Sequence, residues 1–144
     1  MEQWINVKVS YTTTNENGNE KDVTEEYLVS AIAFKEAEEK AAKEVEDYVT
    51  GEINMQVVKR AKFREVLSMD NSDDTCKWYK AKLMFNNYNE KTDTSKLSPV
   101  NYLVQGVSVK DVVNRIEKFM GGSVFDYSID GVNKTNIVSV ILNK

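Results

Sequence analysis

The chain has 144 residues, 41% of them hydrophobic and 29% charged, the balance of an ordinary soluble globular protein with room for one compact domain or two small modules. It contains no histidine and one cysteine. That excludes a histidine-based triad, the usual zinc ligand sets, the commonest general base near neutral pH and an internal disulfide. An enzyme would have to work with carboxylates, Lys, Tyr or Cys76 alone, and a pI near 5.0 argues against coating nucleic acid by bulk charge.

No apolar run approaches the roughly 20 residues of a membrane-spanning helix. Met1-Glu2-Gln3-Trp4 has neither the basic leader nor the apolar core of a secretory signal, so with its lone cysteine the chain is expected in the cytosol. The net charge of −4 is unevenly spread. Residues 1–74 carry 9 basic and 17 acidic side chains, and residues 75–144 carry 10 and 6, so a basic face is expected on the second half if anywhere.

In chain order, residues 4–11 alternate, with Ile5, Val7, Val9 and Tyr11 on one face and Trp4, Asn6, Lys8 and Ser10 on the other, which predicts a half-buried strand. Asn17-Gly18 is a turn signal, and Tyr27-Leu28-Val29-Ser30-Ala31 predicts a strand returning antiparallel. Phe34, Ala37, Ala41, Val45 and Tyr48 then recur at helical spacing, with Glu36–Lys40 and Glu39–Lys43 on the remaining surface and Gly51 beyond the end. Residues 53–69 form a β segment too long for one regular strand. That length predicts a bulge or a tight hairpin, and adjacent Val57-Val58, which breaks the alternation, suits a bulge.

After an acidic linker at 70–76 the pattern starts again. Trp78, Tyr79, Lys80, Ala81, Lys82, Leu83, Met84 and Phe85 match residues 4–11 at an offset of 74. Tyr102-Leu103-Val104-Gln105-Gly106 matches Tyr27-Leu28-Val29-Ser30-Ala31 at an offset of 75, with the single proline, Pro99, assigned to the polar connection between. Ser108 and Asp111 have capping-box spacing, where the first copy has Ala33 and so a cap that is weaker or displaced by a residue. Gly121-Gly122 stops the second helix, and residues 125–142 close the copy with Asp130-Gly131 as a candidate turn. The expectation is an α+β fold made by tandem duplication of a β-β-α-β module, with antiparallel sheets and one helix per copy. The first copy is placed at 1–69 and the second at 77–144, packed as one compact unit because a single copy could bury little apolar surface.

The chain offers no constellation with chemistry. Cys76 has Lys77 beside it but faces Asp73 and Asp74 with no base to activate it. Asp70, Ser72 and Asp74 start like a calcium loop, yet Thr75 and Ala81 stand where Gly and Glu are needed. No metal, cofactor or catalytic group is expected. The residues singled out lie on strands: Trp4 with Lys8, Trp78 with Lys80 and Lys82, and the run Arg60, Lys62 and Arg64, which alternates with Ala61 and Phe63 as a basic ladder. Cations beside aromatics suit single-stranded nucleic acid; the plainer reading is an exposed strand face kept soluble by charge, with each Trp packed.

The segments at 4–9, 27–31, 36–38, 51–53, 60–63, 77–80 and 102–105 together resemble a domain-of-unknown-function family of gut bacteria and their phages, with Ala33 a small departure at the cap. The resemblance implies a phage or mobile-element setting and carries no activity or site. Two functions are therefore expected: a small non-enzymatic binder of single-stranded DNA or RNA through these Lys, Arg and Trp side chains, or a protein-interaction module or inhibitor working through the acidic first half.

Overall fold

The computed structural model describes residues 2–69, 75–121 and 126–142; the acidic linker at 70–74, Gly122 and Phe125 lie outside them. The elements run β1 (Gln3–Thr14), β2 (Glu20–Ala31), α1 (Phe34–Val45), β3 (Ile53–Ala61), β4 (Glu65–Leu67), β5 (Lys77–Asn89), β6 (Thr94–Gly106), α2 (Val109–Met120), β7 (Asp126–Lys134) and β8 (Ile137–Ile141). The chain divides into two compact units, Met1–Lys62 with Asn136–Lys144, and Phe63–Thr135.

In the first unit β1 and β2 form a full-length antiparallel hairpin, from Gln3 opposite Ala31 to Thr14 opposite Glu20. Its tip is an Asx turn. The Asn15 side-chain oxygen accepts the Asn17 and Asn19 amides at 3.0 and 2.9 Å, and Gly18 supplies a φ of 80° that side chains rarely adopt. β3 lies antiparallel on the other side of β1, and β8 joins β2 in parallel, giving the order β3-β1-β2-β8. Ile5, Val7, Val9 and Tyr11 form one core with Ala37, Ala41 and Val45 of the helix laid across them. Each fully buried aliphatic side chain stabilises by roughly 1.5–3 kcal/mol. Phe34 and Tyr48, the ends of the predicted stripe, stay exposed. Tyr48 sits in a 3-10 turn at Glu46–Tyr48, where helical phase is already lost.

The second unit repeats this plan as β4-β6-β5-β7, with Tyr79, Ala81, Leu83 and Phe85 packed against Val112, Ile116 and Met120. Ser108 caps α2 by accepting the Asp111 amide at 3.1 Å, and the Asp111 carboxylate accepts the Val107 amide at 3.0 Å. In α1 only the second half of that device remains: Glu36 accepts the Ile32 amide at 2.7 Å, and Ala33 provides no side-chain bond. The cap is weaker, as the sequence predicts. Glu36 also pairs with Lys40 at 3.3 Å.

Several expectations change. The sheets are mixed, not purely antiparallel, because a parallel strand closes each: β8 beside β2 and β4 beside β6. That strand comes from the other repeat. Beyond β3 the chain does not fold back as a hairpin. The Arg64 amide bonds to the Asn101 carbonyl at 2.8 Å, and β4 continues along β6. Beyond β7, both the amide and the hydroxyl of Thr135 hold the Trp78 carbonyl, at 2.9 and 2.8 Å, before β8 enters the first unit.

Asp130-Gly131 is a bulge and not a turn, since Gly131 faces Lys82 and Ile129 faces Leu83. The matching bulge in β3 leaves out Gln56, between Val57 opposite Lys8 and Met55 opposite Val9. Pro99 lies inside β6 opposite Met84 and not in a loop. A proline is tolerated there because β4 pairs only with Tyr102–Val104, leaving that stretch of the edge without a partner strand among the described residues.

Candidate functional site

Directly paired residues share a sheet face, so the register places every candidate. In the first unit Trp4 and Lys8 lie on the face of β1 opposite the helix. Arg60 pairs with Ile5 and so lies on the helix face, where its guanidinium sits 5.9 Å from the Phe34 ring centre. Lys62 follows the last residue of β3. In the second unit Trp78, Lys80 and Lys82 share the face of β5 away from α2. Arg64 precedes β4 and covers the ring of Phe85, a core residue, at 5.5 Å. The strand-borne ladder of Arg60, Lys62 and Arg64 is thus split between two units, and its two arginines each cap an aromatic ring.

Trp78 is 7% exposed, which closes most of its ring to a base, and Trp4 is half-buried. Lys8 stands opposite Glu26. Lys82 approaches Asp130 at 3.9 Å with both side chains about half exposed, a contact of little energetic weight. The first unit holds 9 basic and 13 acidic side chains and the second 10 and 10. The basic second half of the sequence becomes neutral as a folded unit, because the exchange of closing segments gives it the acidic stretch after Lys62.

Register also reveals residues that alternation alone missed. Lys59 pairs with Asn6 and so joins the Trp4–Lys8 face; only the bulge at Gln56 settles which of Lys59 and Arg60 points that way. Asn6 is 8% exposed and its side-chain oxygen has no hydrogen-bond partner among the described residues. On β5 the same alternation carries the Lys80–Lys82 face out to Tyr88, 58% exposed, whose hydroxyl donates to Asp93.

The first unit also holds a cluster of two tyrosines and a carboxylate. Glu25 accepts hydrogen bonds from Tyr11 at 2.6 Å and Tyr27 at 3.2 Å. Burial, reinforced by the bond to Glu25, pushes the Tyr11 hydroxyl up to about 12. Burial and then the Glu25 charge raise Tyr27 as well. The corresponding positions of the second repeat are Phe85, Val100 and Tyr102, so this trio belongs to the first unit alone. Nearby, Glu44, Glu46 and Asp47 are exposed at the C-terminal end of α1 beside Tyr48, and no ion pair to them is present among the described residues.

Among the described residues no three His, Cys, Asp or Glu side chains gather as a metal-binding group, and no helix is long and apolar enough to cross a membrane. Cys76 is half-buried with its thiol 3.3 Å from the Met69 sulfur; the calcium-like residues Asp70, Ser72 and Asp74 lie outside the described residues. A family model described as a domain of unknown function (DUF4494) matches residues 3–143. No curated protein matches the chain.

Proposed function

We propose that this chain, which belongs to the DUF4494 family, is a non-enzymatic interaction module of a phage or mobile element, acting in the host cytosol, whose acidic first unit engages a basic protein surface. The observation that carries the reading is the end of α1. Glu44, Glu46 and Asp47 lie where the helix macrodipole already places partial negative charge, so each is locally unfavourable. They are neighbours in sequence of Tyr48, which is 64% exposed at the end of the same turn, and an exposed amphipathic ring on an acidic segment suits Lys or Arg from a partner. The test replaces Tyr48 with a photo-crosslinking residue in the producing cell. Discrete protein adducts should form and should vanish when Glu44→Gln, Glu46→Gln and Asp47→Asn are combined. Adducts that ignore the charge change, or adducts only to nucleic acid, would refute the reading.

A second reading, single-stranded nucleic acid, is favoured by one observation: Lys80, Lys82 and the exposed Tyr88 share a face of β5. Anisotropy of labelled oligonucleotides at low salt tests it. Binding should weaken steeply with salt and on Lys80→Ala with Lys82→Ala, and Tyr88→Ala should cost roughly 1–3 kcal/mol if the ring stacks on a base. Absence of binding at tens of micromolar, a range chosen to catch roughly micromolar non-specific affinity, removes this reading.

A further inference from the structure

The same three residue types receive the exchanged strand in both units. In the first, Tyr27, Leu28 and Val29 pair in parallel with Ser139, Val140 and Ile141. In the second, Tyr102, Leu103 and Val104 pair in parallel with Glu65, Val66 and Leu67. The receiving edge is Tyr-Leu-Val both times, and the incoming strand is a polar residue, then Val, then Ile or Leu. Within each set the side chains divide alike. Tyr27 and Val29, or Tyr102 and Val104, belong to the helix-covered core, and the last incoming residue, Ile141 or Leu67, packs against that core. Leu28 and Leu103 are fully buried. Two separate occurrences of one pairing, at positions 74 or 75 apart on both partners, mark a recognition rule and not an accident of one register.

We propose that the Tyr-Leu-Val edge is a docking site for a parallel strand, and that its partner is the closing strand of another copy of this same module. The duplicated chain is then an exchanged pair of modules joined by a covalent link. The first repeat supplies β4 to the unit built from β5, β6, α2 and β7, and the second supplies β8 to the unit built from β1, β2, α1 and β3. Main-chain pairing gives such a contact its strength, and the incoming side chains, Val on one face and Ile or Leu on the helix-covered face, give it selectivity.

The experiment begins with the full chain, carrying a protease recognition sequence in place of residues 70–74, and cuts it after folding. The two fragments should remain a 1:1 complex through gel filtration at low micromolar concentration and should separate only in denaturant. Ile141→Asp, which sets a carboxylate against the first core, should weaken the cut complex by about a hundredfold. Ser139→Pro, which leaves every core side chain in place but puts a proline in β8, should act in the same direction. Circular dichroism of the uncut variants establishes that they are folded, and where Ile141→Asp is not, Ser139→Pro decides. Fragments that part without denaturant overturn the proposal. So does a cut complex whose affinity is unmoved by the folded β8 variants.

Discussion

Gly106 ends β6 against the first turn of α2, and a methyl group there would lie 2.8 Å from a Val112 methyl and 3.0 Å from the Asp111 carboxylate. Its φ is not in the left-handed region, so alanine meets no backbone penalty. Loss of glycine's unfolded-state freedom should even favour the variant by about 0.4–1 kcal/mol. Packing opposes this. Val112 is fully buried and β-branched, with one strongly preferred rotamer in a helix, so it cannot swing aside. Moving it would also disturb Asp111, which holds the Val107 amide and Arg115. Overpacking of this kind costs roughly 1–3 kcal/mol, so Gly106→Ala should destabilise by about 1–2 kcal/mol net. The first repeat shows the remedy. At the matching positions it has Ala31 and Ala37, both fully buried, sharing between them the volume that Gly106 and Val112 divide unequally. Gly106→Ala combined with Val112→Ala should therefore be less harmful than the sum of the single changes, with a coupling of about 1 kcal/mol or more. Urea unfolding followed by fluorescence reads this, with Trp4 in the first unit and Trp78 in the second as reporters. A neutral Gly106→Ala, or strict additivity in the double variant, would refute the argument.

Ala33→Ser should give α1 the side-chain cap that Ser108 gives α2, stabilising by about 1 kcal/mol in the same urea assay, while Ser108→Ala should lose a comparable amount. Tyr11 and Tyr27 stay protonated in the fold after their unfolded counterparts ionise near 10.0. The stability they contribute is whole below that pH and lost as pH rises through their raised values, about 12 for Tyr11. The urea midpoint should fall across that window, and Tyr11→Phe should flatten the fall; a midpoint unchanged there would contradict the cluster with Glu25. The bond from the Val107 amide, then Arg115, lowers the Asp111 carboxyl below its ordinary 3.8. Its contribution is therefore present above that pH and lost as pH falls through the lowered value. Asp111→Asn should weaken the wild type at neutral pH and narrow the difference in strong acid.

The parts of the fold legible in sequence are those set by local periodicity. The alternation of residues 4–11 and 78–85, the helical stripe through Ala37, Ala41 and Val45, and the missing cap at Ala33 all reappear where the residues place them. The doubled valine at 57–58 correctly signals a bulge. Exchange of β4 and β8 leaves no such trace. A three-residue strand such as Glu65–Leu67 has the same pattern whichever edge it joins, and its partner lies 37 residues away. The candidate cations suffered from the same limit. Alternation says that Lys59 and Arg60 point to opposite faces, but only pairing with Asn6 and Ile5 says which face holds Trp4. In sequence Trp78 admits both an open and a packed placement, and only the fold shows it to be 7% exposed.

The segment 63–135 is continuous in the chain, whereas the other unit waits for residues 137–141 to finish its sheet. During synthesis, then, the half made first is completed last. The hairpin of β1 and β2 with α1 can form early, but its edge at Tyr27–Val29 stays unpaired while about a hundred further residues are translated, on the order of 5–20 s at typical elongation rates. Over that interval a neighbouring nascent chain on the same message presents an identical edge. Whether the hairpin captures its own β8 or that of its neighbour becomes a matter of local concentration on the ribosome, and crowded translation should raise the share of interlinked chains.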